Sequence, residues 1–142
     1  MSRHVLIVDD VQTNRMLPGM ILRGLGDVIY ECAGGEEALA MLAQAPITHV
    51  LLDISLPKVS GVDICRRIRE RPEWRHIRLI AYTAHAQAHE VKAFLEAGFD
   101  AVLTKPIQAQ DILSLVGGDL NDPDADASGA AHSAEPRPRP PV

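Results

Sequence analysis

A chain of 142 residues, 46% of them apolar and 4% aromatic, holds enough material for one domain with an aliphatic core. Fourteen basic against nineteen acidic residues leave a net charge of −5, which argues against a general nucleic-acid binder. Cys32 and Cys65 lack CxxC spacing, so neither a thiolate metal site nor a disulfide scaffold is expected, and no apolar run approaches the roughly 18 residues of a membrane span.

In chain order, the first aliphatic run is Val5-Leu6-Ile7-Val8, which ends in Asp9-Asp10. It is too short for a signal peptide, so a cytoplasmic protein is expected. Leu17, Ile21 and Leu25 then fall at helical spacing, although Pro18-Gly19 conflicts with a continuous helix. Such a helix either starts late or is kinked. Residues 27–31 form a weaker strand, and Ala38 and Leu42 mark a second helix behind the acids Glu36 and Glu37. Val50-Leu51-Leu52 ends in Asp53 and precedes a helix on Val62, Cys65 and Ile68. Leu79-Ile80-Ala81-Tyr82 ends in Thr83 and precedes a helix on Ala88, Val91 and Leu95 that stops at Gly98. Ala101-Val102-Leu103 ends in Thr104-Lys105-Pro106, and Ile112, Leu115 and Val116 close the pattern. Unbroken aliphatic runs suit strands buried on both faces, so five strand–helix repeats predict an open, doubly wound parallel α/β domain over residues 1–116. Residues 117–142 carry five acids, two arginines and a final PRPRPP run, and are expected to be a disordered acidic, proline-rich tail.

Ligands of open parallel sheets bind beyond the carboxyl ends of the strands. Asp9, Asp10, Asp53, Thr83 and Lys105 all occupy that position. Any one of them alone reads as a cap, turn or solvated residue; the five together do not. Clustered carboxylates repel and raise one another's pKa, and a hard divalent cation held by oxygen ligands and water relieves that repulsion, as Mg²⁺ does. Lysine is a point charge that can meet a phosphate oxygen, and the Thr83 hydroxyl is a donor. The set suits a metal together with a phosphoryl group.

The segments VLIVDD, LLDISLPKVSGVD, AYTAHA and LTKPI resemble the receiver domains of bacterial two-component response regulators, over residues 3–116. The resemblance implies a flavodoxin-like sheet of order 2-1-3-4-5. It implies that Asp53 is the phosphoacceptor. Mg²⁺ would be bound by Asp10, Asp53 and the backbone carbonyl of Ser55, with Asp9 supporting it through water. Thr83 and Ala84 would form the switch segment and Lys105 would pair with the phosphoryl group, before a cis peptide at Pro106. The implied protein is a single-domain regulator rather than an enzyme. It would take phosphate from a histidine kinase or a histidine phosphotransfer protein and signal through a protein-binding face on the fourth helix, fifth strand and fifth helix. A phosphorylation-linked homodimer fits the same reading; a membrane or nucleic-acid partner does not.

The sequence departs from that family at Val102, where an aromatic is usual, and at Lys58-Val59. Ser55 and His85 are candidates for setting the lifetime of the phosphoryl group. Phe94, one step off the expected stripe of Val91 and Leu95, is expected to be part exposed beside a hollow at Val102, as an output anchor. Two rival readings are a Mg²⁺-dependent phosphohydrolase with an aspartate nucleophile, which Ser55 at the place of its second acid disfavours, and a binding module independent of phosphorylation. Six arginines between Arg66 and Arg78 read as a solvated face, and Trp74 as a loop anchor.

Overall fold

The computed structural model describes residues 3–84, 86–105 and 109–112. The expected tail and Pro106 lie outside the described residues. Strands β1 (His4–Val8), β2 (Val28–Cys32), β3 (His49–Asp53), β4 (Arg78–Thr83) and β5 (Ala101–Thr104) alternate with helices α1 (Gln12–Gly24), α2 (Gly35–Gln44), α3 (Gly61–Arg69), α4 (Ala88–Ala97) and α5 (Ala109–Ile112). All four strand pairings are parallel, in the order β2-β1-β3-β4-β5. The doubly wound 2-1-3-4-5 sheet is therefore present.

The aliphatic runs are buried on both faces because each strand sends alternate side chains to opposite sides. Leu6, Val8, Val50, Leu52, Leu79 and Ala81 pack with Ala38, Leu42, Ile64, Ile68 and Phe94 on one face. Val5, Ile7, Leu51, Ile80, Tyr82 and Leu103 pack with Leu22 of α1 on the other. Complete burial of a Leu or Ile such as Leu6, Ile7 or Leu52 is worth about 2 kcal/mol. The central strand β3 is buried along its whole length, which fixes Asp53 at the rim of the best-packed part of the sheet.

α1 does not start late: it runs from Gln12 to Gly24 through a buried Pro18. Proline has no N–H, so the Asn14 carbonyl loses its i+4 donor. The Tyr82 hydroxyl on β4 donates to that carbonyl instead, at 3.4 Å.

Phe94 departs from expectation. It is 9% exposed, packs in the core and meets Phe99 edge-to-face with centroids 6.2 Å apart, whereas Val91 and Leu95 are only partly buried. The larger ring takes the inward position and turns the stripe of α4 by about one residue. Phe94 is thus not a part-exposed anchor beside Val102, which is itself partly buried against the same core.

The arginine-rich segment is a set of surface ties. Arg67 pairs with Glu36 at 2.7 Å and Arg71 with Glu73 at 3.0 Å. Arg69 pairs with Asp100 at 2.8 Å and also donates to the carbonyls of Gly98 and Ile77. Trp74 is buried beneath Arg71, whose guanidinium lies 4.6 Å from the ring centroid, so it anchors the loop as expected.

Candidate functional site

The site is assembled where β1, β3, β4 and β5 end. Asp9, directly after β1, is fully buried, Asp53 closes β3 at 3% exposure, and Asp10 is exposed. One carboxylate oxygen from each lies within 4.8 Å of the other two. Lys105 follows β5, and its Nζ lies 2.8 Å from Asp9 Oδ2 and 3.2 Å from Asp53 Oδ1. Its backbone N–H donates to the Thr83 carbonyl at 2.7 Å, which ties the lysine to the end of β4.

Local hydrogen bonds hold the acids in place. The Ser55 N–H donates to Asp53 Oδ1 at 3.1 Å, and the Val11 N–H donates to Asp9 Oδ1 at 2.9 Å. Each is a carboxylate bonding the backbone two residues on, the usual turn made by Asp. Asn14 Nδ2 donates to the same Asp9 oxygen at 3.4 Å, and Arg15 donates to the Asp9 carbonyl at 2.6 Å while pairing with Glu31 at 3.0 Å. Gly61, the first residue of α3, packs directly on the Asp53 backbone, where a side chain would overlap the Asp53 carbonyl oxygen.

Burial raises the Asp53 pKa above the ordinary aspartate value and the charge of Asp9 adds to this, while the Ser55 N–H and Lys105 pull it back. Burial alone would lower Lys105, but the Asp9 and Asp53 carboxylates outweigh it and the ammonium is held more firmly than in water. Buried Asp9 Oδ2 pairs with the Lys105 ammonium at 2.8 Å. An all-oxygen set of three converging carboxylates, two of them buried, fits a hard divalent ion.

Asp9, Asp10, Asp53 and Lys105 therefore meet as expected from their strand ends. Thr83 is buried at the end of β4, Ala84 is exposed just beyond it, and Ser55 is exposed beside Asp53. His85 lies outside the described residues. Sequence reasoning passed over Asn14, Arg15 and Tyr82. The available signals were the polar pair four and five residues after Asp10, the proline four residues after Asn14, and an aromatic directly before Thr83.

The model of the response regulator receiver domain matches residues 5–117. The chain belongs to this family. A receiver domain is the phosphoacceptor module of two-component signalling. Among its relatives is the polar-differentiation response regulator DivK of Brucella ovis, 30% identical over 122 residues that cover 86% of this chain and 99% of DivK. The signal transduction histidine-protein kinase BarA of Shigella flexneri is 33% identical over 112 residues, 79% of this chain but only 12% of the kinase. The receiver domain thus spans about an eighth of that kinase's length. Among solved structures, a CheY-like receiver domain protein from Methanospirillum hungatei superposes with a TM-score of 0.74 at 26% identity, over 90% of this chain and 99% of that one. No helix among the described residues is long and apolar enough to cross a membrane.

Proposed function

We propose that this receiver domain accepts a phosphoryl group on Asp53 from the phosphohistidine of a histidine kinase or a histidine phosphotransfer protein. The observation that carries this reading is the placement of Asp53 between two further carboxylates and Lys105 at the rim of the sheet. An Asp53 carboxylate oxygen attacks phosphorus, the phosphorus–imidazole nitrogen bond breaks, and the imidazole leaves with the bonding electrons. Lys105 is already 3.2 Å from Asp53 Oδ1, so positive charge is in place before charge builds up. Asp10, Asp53 and the Ser55 carbonyl would hold Mg²⁺, with Asp9 behind them. When bound, Mg²⁺ supplies the positive charge that offsets the acids and the phosphoryl oxygens.

The acyl phosphate brings new acceptor oxygens that draw on Lys105 and the Thr83 hydroxyl. Thr83 and Ala84 lead into the segment before α4, so the phosphorylation-dependent partner contact is assigned to the face of α4, β5 and α5. Phe94 is buried there, and the exposed residues that α4 offers include His89, Lys92 and Glu96. The phosphodonor is assigned to α1. Among the described residues the exposed large apolar side chains are Val11, Met16, Leu17, Met20, Leu25 and Val28, on or beside α1, and Val11 directly follows Asp10.

Ser55 and His85 are assigned to the path of the water that removes the phosphoryl group. Residues 1–116 are taken as the receiver and 117–142 as a tail, a division supported by a family match that ends at residue 117. The protein turns over no substrate in this reading and works in the cytoplasm. Incubation with Mg²⁺ and acetyl phosphate, read by intact mass, should add one base-labile phosphoryl group that Asp53→Asn does not take up. Undiminished labelling of Asp53→Asn would overturn the assignment, and sustained phosphatase turnover would favour the phosphohydrolase reading.

A further inference from the structure

Tyr82 occupies an unusual place for a core aromatic. It is 2% exposed, pairs in register with Asp53 across β3 and β4, and lies one residue before Thr83. Lys105 Nζ sits 5.0 Å from its ring centroid. An ammonium within about 6 Å of a ring face is attracted to it, and more so when partly desolvated, as Lys105 is at 16% side-chain exposure. The ring is held at both ends. Its backbone carbonyl accepts from the Ile54 N–H at 3.2 Å, next to Asp53. Its hydroxyl donates to the Asn14 carbonyl at 3.4 Å, the carbonyl that Pro18 deprives of a helix donor. Asn14 in turn touches Asp9 through its side chain, and Asp9 pairs with Lys105. The contacts close a ring: Asp9, Lys105, Tyr82, Asn14 and back to Asp9.

We propose that Tyr82 is a positioning residue for phosphoryl transfer to Asp53, its ring steadying Lys105 over the acid pocket and its hydroxyl moored on the acceptor that Pro18 frees. This rests on the reading of Asp53 as the phosphoacceptor. Burial, with the charges of Asp9 and Asp53, pushes the Tyr82 hydroxyl up to about 12, so it stays a donor at neutral pH. The bond is long, and its value lies in direction: without it the ring can rock away from the lysine. Pro18 leaves that carbonyl without its helix N–H, whereas an alanine there would supply a second donor beside the Tyr82 hydroxyl.

Two readouts test this on the full chain. The first is the set of ε-methylene signals from selectively ¹³C-labelled Lys58, Lys92 and Lys105, recorded without phosphodonor. Ring current from Tyr82 should shift the Lys105 signal, Tyr82→Phe should keep that shift, and Tyr82→Leu should abolish it. The second is the rate of Asp53 labelling by acetyl phosphate with Mg²⁺. Tyr82→Leu should slow the saturated rate by about tenfold, the size of a partly desolvated cation–π contact, and leave the half-saturating donor concentration unchanged. Tyr82→Phe should slow it about threefold, as expected for one hydrogen bond, and by less than that in a Pro18→Ala background. Should Tyr82→Leu fail to fold, the Tyr82→Phe and Pro18→Ala comparison decides alone. The proposal is overturned if the Lys105 shift survives Tyr82→Leu, or if Tyr82→Phe has the same effect with and without Pro18. A parent protein that takes up no phosphoryl group would sink the reading of Asp53 instead, and the Lys105 signal would still decide the ring contact.

Discussion

Replacing Gly61 by alanine should injure the phosphoacceptor site through the backbone alone. A Cβ at this position overlaps the Asp53 carbonyl oxygen and comes 2.8 Å from Ile54 Cα and 2.9 Å from the Asp53 carbonyl carbon. These are main-chain atoms, so no side chain can turn aside. The end of β3 and the start of α3 must separate by about 0.5–1 Å, and overpacking of this kind typically costs about 1–3 kcal/mol, with backbone clashes at the upper end. In a domain of this size about 3 kcal/mol lowers Tm by roughly 15 °C. Because the displaced atoms carry Asp53, labelling by acetyl phosphate should also slow, by up to about 100-fold for a misplacement near 1 Å.

Two other glycines have softer surroundings. Gly35→Ala would press on the Ile64 side chain at 2.6 Å, so the neighbour that must give is a side chain and the loss should be smaller, with labelling intact. Gly24→Ala meets nothing within 4 Å at the end of α1 and should stabilise by about 0.5 kcal/mol. Urea unfolding of the three variants, with labelling rates measured on the folded fractions, gives the order. A Gly61→Ala protein with parental stability and labelling, or one no worse than Gly35→Ala, would refute the steric account.

Two further expectations follow from single residues. His49 is buried at the start of β3, where burial first and then Arg78 and Arg3 push its pKa down from 6.5 to about 4. The unfolded chain therefore binds this proton more readily, so the stability tied to neutral His49 is whole above about pH 6.5 and lost as pH falls toward 4, with about 2 kcal/mol gone at pH 5. His49→Leu should flatten that part of the urea-unfolding pH profile, and a profile parallel to the parent's would count against it. For the acid pair, Mg²⁺ titration should show a larger loss of affinity in Asp10→Ala than in Asp9→Ala, because buried Asp9 is already engaged by Lys105 whereas Asp10 is exposed; equal losses would contradict this.

The strand ends were legible because burial on both faces of a parallel sheet demands unbroken aliphatic runs, and such runs stop where polar chemistry begins. Asp9, Asp53 and Lys105 could be placed together from that rule alone. Phe94 could not be placed, because a stripe on Ala88, Val91 and Leu95 and one turned by a residue have nearly the same periodicity. The choice between them depended on which ring fitted against Phe99, a contact fixed by the turn after α4. His49 is a similar case: the first residue of a strand is commonly solvated, and only the pairing of β3 with both β1 and β4 encloses it.

Pro18 shows why a local conflict is informative even when its resolution is not local. Read along the chain, a proline in the middle of α1 costs a hydrogen bond and has no visible compensation. The compensation comes from Tyr82, 68 residues from Asn14 in sequence, and it reaches α1 only because β4 lies beside β3 in the sheet. A tyrosine in a buried strand carries its own complementary conflict, since its hydroxyl needs a partner in an apolar layer. Each irregularity answers the other, and the pair stands against the one lysine that faces both buried acids. Two rule-breaking residues on separate elements that satisfy one another beside a charged site are better explained by a demand of that site than by tolerance of two independent defects.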